Sequence, residues 1–329
     1  MTIESLSSIN HFELPALATV GSLAVRSAPL NHFDLGGLTS ATTIELSGLS
    51  VMKELRLPKL ATVGSLSIKY NNQVNAPPRN AHLSPAATPL NGLRSGLLGA
   101  QLMGCDAQTL TSLASVKQEL TVVGNGEMRL GCELSALKTI GGGVTVKSNV
   151  QLDTLRVPML THVGGNVAVQ ANTLISTISF DTLATVGGDL LVTDSAPTAP
   201  EQKRLIVNLP KLANVAGTMR VEDCPGITQL AATSLATVGG PLRYAYNGVD
   251  EQSARLNFAM LTSVKGLEMG PDGNKHNELV HHSVVPGCAF PKLAVSETSN
   301  TFYVAGDRAR IADGALCCTF ANTKSAKCV

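Results

Sequence analysis

The chain has 329 residues and a formal net charge of +1, with 15% charged residues, 3% aromatic residues and no Trp. A balanced charge without a dense Lys/Arg stripe, together with so few aromatic side chains, argues against a nucleic-acid partner. No run of 18 apolar residues occurs, and the first 20 residues contain Glu4 and Glu13 in place of a basic start, so we predict neither a transmembrane segment nor a signal peptide.

A repeated pattern, apolar-x-x-Leu-x-x-Val-x-Gly-x-Leu-x-Val, runs from about residue 14 to residue 270. Undisturbed steps between copies measure 20 to 24 residues, a period typical of stacked structural repeats. The anchoring leucines are Leu17, Leu38, Leu60, Leu93, Leu113, Leu137, Leu160, Leu183, Leu212, Leu235, Leu261 and, in a degraded copy, Leu293.

Each copy ends in a short strand pattern, as in Leu66-x-Ile68, in which alternate aliphatic side chains point inward. Stacked copies then form a parallel sheet. We therefore predict an all-β fold, a right-handed parallel β-solenoid of about ten to eleven coils over residues 1–270. Residues 271–329, where the repeat fades, are predicted to form a C-terminal cap.

Three positions after the second inward strand residue, most copies carry a small polar residue. An Asn there can hydrogen-bond its own loop and the next coil, so we interpret this column as a structural ladder, in which a buried thiol can replace Asn. The ladder residues are Asn71, Asn125, Asn149, Asn172, Cys224 and Asn247. The Gly pairs at 164–165, 187–188 and 239–240 are predicted to supply corner conformations closed to other residues.

The outward positions of the strands are the predicted binding surface. They are Arg26, Glu45, Lys69, Lys147, Gln170, Arg220, Glu222, Arg243 and Glu268. Four insertions, at about 72–89, 196–204, 248–255 and 273–287, all begin just after the ladder position and are predicted to project from one edge of the solenoid. The sequence does not decide whether this loop rim or the strand face is the binding surface. For each of the two, the alternative is a solvated surface without a binding function.

No catalytic constellation, cofactor-binding motif or metal site is predicted. The polar segment 270–282 does not meet calcium-loop spacing, and its adjacent histidines, His281 and His282, would point to opposite faces of a strand. Acidic residues are scattered one per coil, so no carboxylate pair for acid-base catalysis can be assembled.

Four of the seven cysteines lie in the last 42 residues: Cys288, Cys317, Cys318 and Cys328. We predict that they form two disulfides that clamp the cap, which would place the protein in an oxidising compartment. A zinc site on the four thiolates is the alternative, although their spacing lacks Cys-x-x-Cys pairs.

The strand pattern Leu-x-x-Leu-x-Leu-x-x-Asn/Cys resembles the leucine-rich-repeat signature, and the Val-Gly-Gly-x-Leu-x-Val turn resembles the receptor L domain, which forms the ligand-binding lobes of insulin- and EGF-type receptors. The resemblance implies a solenoid of that type and extracellular recognition. We therefore predict a non-catalytic module that binds a protein or glycan partner at the cell surface or outside the cell. The alternatives are a carbohydrate-active β-helix enzyme and a structural component of a wall or matrix.

Overall fold

The computed structural model describes residues 1–4, 9–49, 51–52, 54–71, 110, 112–125, 134–195, 204–224, 226–245, 247, 255–258, 260–269 and 301–304. These residues contain strands and turns and no helix. The strands stack in parallel as a β-solenoid, which confirms the predicted all-β solenoid.

One long sheet of 17 strands forms the main wall of the solenoid. Its strands are β1 (Thr2–Glu4), β3 (Thr19–Arg26), β5 (Ser40–Ser47), β7 (Thr62–Lys69), β8 (Ser115–Val116), β9 (Leu120–Val123), β10 (Thr139–Ile140), β11 (Val144–Lys147), β13 (His162–Val163), β14 (Val167–Gln170), β16 (Thr185–Val186), β17 (Leu190–Thr193), β19 (Asn214–Val215), β20 (Met219–Glu222), β22 (Thr237–Ala245), β24 (Ser263–Met269) and β25 (Thr301–Val304).

Two shorter parallel sheets stack separately from the long sheet. One comprises β2 (His11–Glu13), β4 (His32–Asp34) and β6 (Glu54–Arg56), and the other comprises β12 (Thr154–Arg156), β15 (Thr177–Ser179), β18 (Leu205–Asn208), β21 (Ile227–Ala231) and β23 (Arg255–Asn257). Every strand pairing in the described residues is parallel, so each residue sits above its counterpart in the next turn.

The apolar-x-x-Leu motif forms a tight turn that buries both of its apolar residues. In one copy the amide of Leu60 donates to the carbonyl oxygen of Leu57 at 3.1 Å, and both side chains are fully buried. The same bond joins Leu38 to Leu35 and Leu212 to Leu209. The repeat therefore encodes the corner of each turn as well as its strand.

The core is one continuous column of aliphatic side chains inside the turns. Inward residues such as Leu66, Ile68, Val167 and Val169 are at most 1% exposed. Each contributes about 1.5–3 kcal/mol of burial free energy before conformational entropy is subtracted. A turn cannot bury this face alone, which is why the turns stack.

One predicted copy contributes no strand to the stack of the long sheet. Strand β7 pairs directly with β8 and β9, so the copy anchored at Leu93 adds no strand between them in the long sheet. The degraded copy at Leu293 and most of the predicted cap, including its four cysteines, lie outside the described residues. Strand β25 pairs with β24 and extends the long sheet beyond residue 270.

The Gly pairs do not supply the corner conformations that were predicted for them. Among the described glycines only Gly48, Gly124 and Gly226 have positive φ, and none belongs to a pair. The first glycine of each pair instead lies against the backbone of the preceding turn: a Cβ on Gly187 would lie 2.1 Å from the carbonyl oxygen of Gly164. Close backbone stacking, not a positive φ, accounts for the glycines at these pairs.

Candidate functional site

The outward residues of the long sheet lie in two parallel columns, since alternate residues of a strand face the same way. The first outer column contains Ala24, Glu45, Ser67, Thr121, Thr145, Ala168, Leu191, Arg220, Arg243 and Glu268. The second outer column contains Glu4, Arg26, Ser47, Lys69, Val123, Lys147, Gln170, Thr193, Glu222 and Ala245. The nine predicted surface residues are thus divided between neighbouring columns.

At the N-terminal end of this surface, Arg26 pairs with carboxylates of the turns on both sides. Its guanidinium binds Glu4 of β1 and Glu45 of β5. The hydrogen bond from Arg26 holds the pKa of Glu45 below its usual range, and the charge of Lys69 adds to the effect. These groups satisfy one another and tie three successive turns together.

A second ion-pair cluster lies towards the other end. Glu222 is 8% exposed and lies 3.3 Å from Nε of Arg220 and 3.2 Å from Nε of Arg243. In the backbone register of the sheet, Glu268 of β24 lies opposite Arg243 of β22. Here too, predicted binding residues are already partnered within the protein.

Between the two clusters lies a part of the surface with few ion pairs, which we call the central patch: Lys69, Tyr70, Val123, Lys147 and Gln170. Lys147 is exposed and has no ion-pair partner among the described residues. Gln170 donates to Oγ1 of Thr193 at 3.3 Å. Tyr70 is 51% exposed, and its ring lies against Gly124 of the next turn, where a Cβ would be 2.6 Å from Cδ1 of the ring.

The backbone of Tyr70 is strained. Eight strands of the long sheet are each followed by a residue of positive φ that turns the chain: Ser27, Gly48, Tyr70, Gly124, Ser148, Ala171, Asp194 and Asp223. Glycine and small or polar residues tolerate this conformation, whereas a bulky aromatic residue rarely adopts it. Tyr70, with φ of 53°, is the exception in this column. The chain therefore keeps an exposed ring here at a cost in stability.

The ladder residues point inward and bond to neighbouring turns. Oδ1 of Asn149 accepts from the backbone amide of Asn125 at 3.0 Å, and Nδ2 of Asn149 donates to the carbonyl oxygen of Val122 at 3.1 Å. The same arrangement occurs at four other buried ladder residues: Asn71, Asn125, Asn172 and Asn247. Such side chains stabilise the fold and are not available to a ligand.

Cys224 occupies the ladder position in its own turn. Its backbone amide donates to Oδ1 of Asn247 at 3.0 Å, and its thiol donates to the carbonyl oxygen of Glu222 at 3.2 Å. Burial raises the pKa of the thiol to about 12, so it stays protonated and unreactive at neutral pH. It is a free cysteine.

A third outward column, at the start of the strands, was not predicted from the sequence. It contains Thr19, Ser40, Thr62, Ser115, Thr139, His162, Thr185, Asn214, Thr237 and Ser263. Neighbours bond along it, as when Oγ1 of Thr139 donates to Oγ of Ser115 at 3.1 Å. The sequence contains a signal for this column, because a polar residue precedes the Val position of the repeat in nearly every copy, as in Ala61-Thr62-Val63. We call it the hydroxyl row.

Two further groups of polar side chains were also missed. Asp194 and Asp223 follow strands of adjacent turns, and burial, reinforced by the charge of Asp194, raises the pKa of Asp223. His11, Glu13 and His32 converge on the three-stranded sheet, with one ligand atom of each within 4.8 Å of the others. The loop rim at 72–89, 196–204, 248–255 and 273–287, and the segment 270–282, lie almost entirely outside the described residues.

Among the described residues, no helix is long and apolar enough to cross a membrane. Comparisons with protein-family models, with curated proteins and with solved structures found no match to this chain.

Proposed function

We propose that the protein is a non-catalytic recognition module that binds a protein or glycan partner along the outer face of its long sheet. The observation that carries the proposal is the central patch. Tyr70 presents a half-exposed ring between Lys69 and the next turn, and the ring costs backbone strain that glycine would avoid. One side of the ring packs on Gly124 of the next turn, and the exposed half is available for a ligand contact, which we take as the reason for the strained aromatic residue.

The partitioning of charge supports the same surface. Arg26 and Glu222 are neutralised by partners within the chain, whereas Lys147 is exposed and unpaired among the described residues. An aromatic ring with flanking cations and amides offers stacking, hydrogen bonding and charge to one ligand.

The regular spacing of the solenoid suits an extended partner. Adjacent turns lie about 4.8 Å apart, so the hydroxyl row offers hydrogen-bonding groups at regular intervals along the axis. A glycan chain or an extended peptide lying along this axis would contact several successive turns at once. Affinity would then come from many modest contacts.

We assign the module to the leucine-rich-repeat or receptor L-domain type and place it at the cell surface or outside the cell. The assignment depends on the strand signature and on the Val-Gly-Gly turn, and the location depends on the prediction that Cys288, Cys317, Cys318 and Cys328 form disulfides. The predicted clamp on the C-terminal segment is part of this proposal.

Asp194 and Asp223 favour the carbohydrate-active enzyme as a second candidate. Two carboxyl groups on adjacent turns, one with its pKa raised by burial, are the elements of an acid-base pair. This candidate predicts that Asp223→Asn abolishes cleavage of a polysaccharide by the wild-type chain. Absence of cleavage by the wild-type chain across polysaccharide substrates would exclude it.

The main proposal is tested with the full chain on arrays of glycans and of extracellular proteins. We expect at least one ligand whose binding is weakened by Lys147→Glu, because the change reverses an exposed charge in the central patch. Lys138→Glu is the matched control, since Lys138 is also exposed and carries the same charge change outside the patch. Equal loss in both variants, or no effect of Lys147→Glu on any ligand, contradicts the proposal.

A further inference from the structure

We propose that His11, Glu13 and His32 form a binding site for a divalent transition-metal ion such as Zn²⁺. The site lies on the three-stranded sheet, apart from the central patch, and does not depend on the proposed recognition function.

Strand pairing places the three side chains together. His11 and Glu13 are two residues apart on β2, so they point to the same face, and His32 of β4 lies directly opposite His11 in the parallel register. The intervening residues, Phe12 and Phe33, face the core and stack on each other with ring centroids 5.3 Å apart. The aromatic pair inside therefore fixes the histidine pair outside.

The donor atoms already converge on one point. Oε1 of Glu13 lies 2.7 Å from Nε2 of His11 and 3.1 Å from Nε2 of His32. The imidazole rings are stacked, with centroids 4.3 Å apart and planes inclined by 4°. The carboxylate oxygen is thus held by the two nitrogens that would ligate the ion, and an ion would replace the protons in these contacts.

Little movement is needed to reach metal-ligand geometry. Tetrahedral zinc with bonds of about 2.0–2.2 Å requires donor atoms about 3.3 Å apart. The two distances from Oε1 of Glu13 to the imidazole nitrogens, 2.7 and 3.1 Å, must open by about 0.6 and about 0.2 Å. The donor atoms of the two histidines lie within 4.8 Å of each other, so this pair must close by about 1.5 Å at most. The side chains of His11 and Glu13 are 58% and 47% exposed, which leaves them free to rotate, whereas His32 is 18% exposed and anchors the site.

The backbone around the cluster is fixed. The amides of Asn31 and His32 donate to the carbonyl oxygen of Asn10 at 2.8 and 3.1 Å, and the amide of Leu14 donates to the carbonyl oxygen of Asp34 at 3.0 Å. Ligands on paired strands are therefore preorganised relative to each other.

The donor set selects the class of ion. Two imidazoles and one carboxylate suit Zn²⁺ and its neighbours in the transition series, whereas Ca²⁺ and Mg²⁺ prefer oxygen ligands alone. Three protein ligands leave at least one coordination position open to water or to an external donor.

The experiment measures Zn²⁺ bound to the full chain by equilibrium dialysis at pH 7.5. Because the chain holds other histidines and cysteines, the informative quantity is the difference between variants. We expect Glu13→Gln and His32→Gln each to lose one equivalent of Zn²⁺, or to bind it at least about tenfold more weakly. His162→Gln is the control: His162 is an exposed histidine on β13, outside the cluster, and this variant should bind Zn²⁺ as the wild type does.

A second readout separates ligation from misfolding. Zn²⁺ should raise the melting temperature of the wild type and of His162→Gln but not that of Glu13→Gln, whose exposed, near-isosteric change leaves the fold intact. The proposal is overturned if the wild type binds no Zn²⁺, or if Glu13→Gln and His32→Gln bind as much Zn²⁺ as the wild type with the same affinity.

Discussion

The buried asparagines of the ladder act as substitutes for backbone hydrogen-bonding partners. Asn149→Ala would leave the amide of Asn125 and the carbonyl oxygen of Val122 without these partners in the interior. Each of these two buried groups left unpaired costs about 1–3 kcal/mol, so we expect the free energy of unfolding to fall by about 2–6 kcal/mol. Urea denaturation measures the change.

Asn214→Ala is the control for that prediction. Asn214 is exposed and donates one hydrogen bond, to Oγ1 of Thr237 at 2.7 Å. Water replaces this partner, so the change should stay within about 0.5 kcal/mol. Similar losses in the two variants would show that the ladder contributes no more than a surface contact.

Asp223 should destabilise the fold at neutral pH. Burial and the neighbouring Asp194 raise its pKa in the folded state, so the protonated form is favoured there. The stability linked to this group is present at low pH and is lost as pH rises through the raised pKa. Asp223→Asn should therefore melt at a higher temperature than the wild type at pH 7, with little difference at pH 3; Asn tolerates the positive φ of this position.

Asp181 provides a comparison of opposite sign. A hydrogen bond from Ser179, aided by Arg156, lowers the pKa of Asp181, so its stabilising effect is present at neutral pH and is lost as pH falls through that pKa. Asp181→Asn should lower the melting temperature at pH 7 and have a smaller effect in acid. Shifts of the same sign for Asp181→Asn and Asp223→Asn would contradict these assignments.

At the scale of the element, glycine stacking determines how closely neighbouring turns approach. Gly187→Ala would place a Cβ 2.1 Å from the carbonyl oxygen of Gly164, a backbone atom that cannot move aside alone. We expect a loss of more than about 3 kcal/mol or failure to fold. Gly21→Ala, at the matching position of an earlier turn, has nothing within 4 Å and should be nearly neutral. Thermal melting of the two variants decides the matter, and equal stability would contradict the stacking.

The strands could be predicted from the sequence, whereas the contacts between turns could not. The spacing of Leu66 and Ile68 predicts a strand with buried alternate residues, and the structure has β7 there. The role of the Gly pairs was not predictable from one copy, because the restricting atom belongs to the preceding turn. For the same reason the ion pairs of Arg26 and Glu222 became visible only once the register between strands was known.

At the scale of the whole molecule, the repeat predicts stacking but not which copies stack. Leu93 satisfies the anchor pattern, yet β7 and β9 pair directly, so pairing between distant segments overrides the local signal. The binding surface was predicted as nine residues, and the structure separates those held in ion pairs, such as Arg26 and Glu222, from Lys69, Lys147 and Gln170, which form no ion pair among the described residues. The metal cluster had a sequence signal, His-Phe-Glu-Leu at 11–14 and His-Phe-Asp-Leu at 32–35, spaced by one coil.

The proposed location outside the cell predicts oxidised cysteines. In the unfolded, unreduced protein, Cys288, Cys317, Cys318 and Cys328 should resist alkylation, whereas Cys224 should react once denaturant exposes it. Peptide mapping by mass spectrometry measures both. Four free thiols in the C-terminal segment would contradict the disulfide clamp and the proposed compartment.

The most direct test of the recognition surface is Tyr70→Gly, assayed against a ligand found on the arrays. Glycine relieves the strain at φ of 53° and removes the exposed ring, so the variant should be at least as stable as the wild type. We expect binding to weaken by at least about tenfold while the melting temperature is unchanged or raised. Unchanged binding by this stable variant would show that the central patch is not the binding surface.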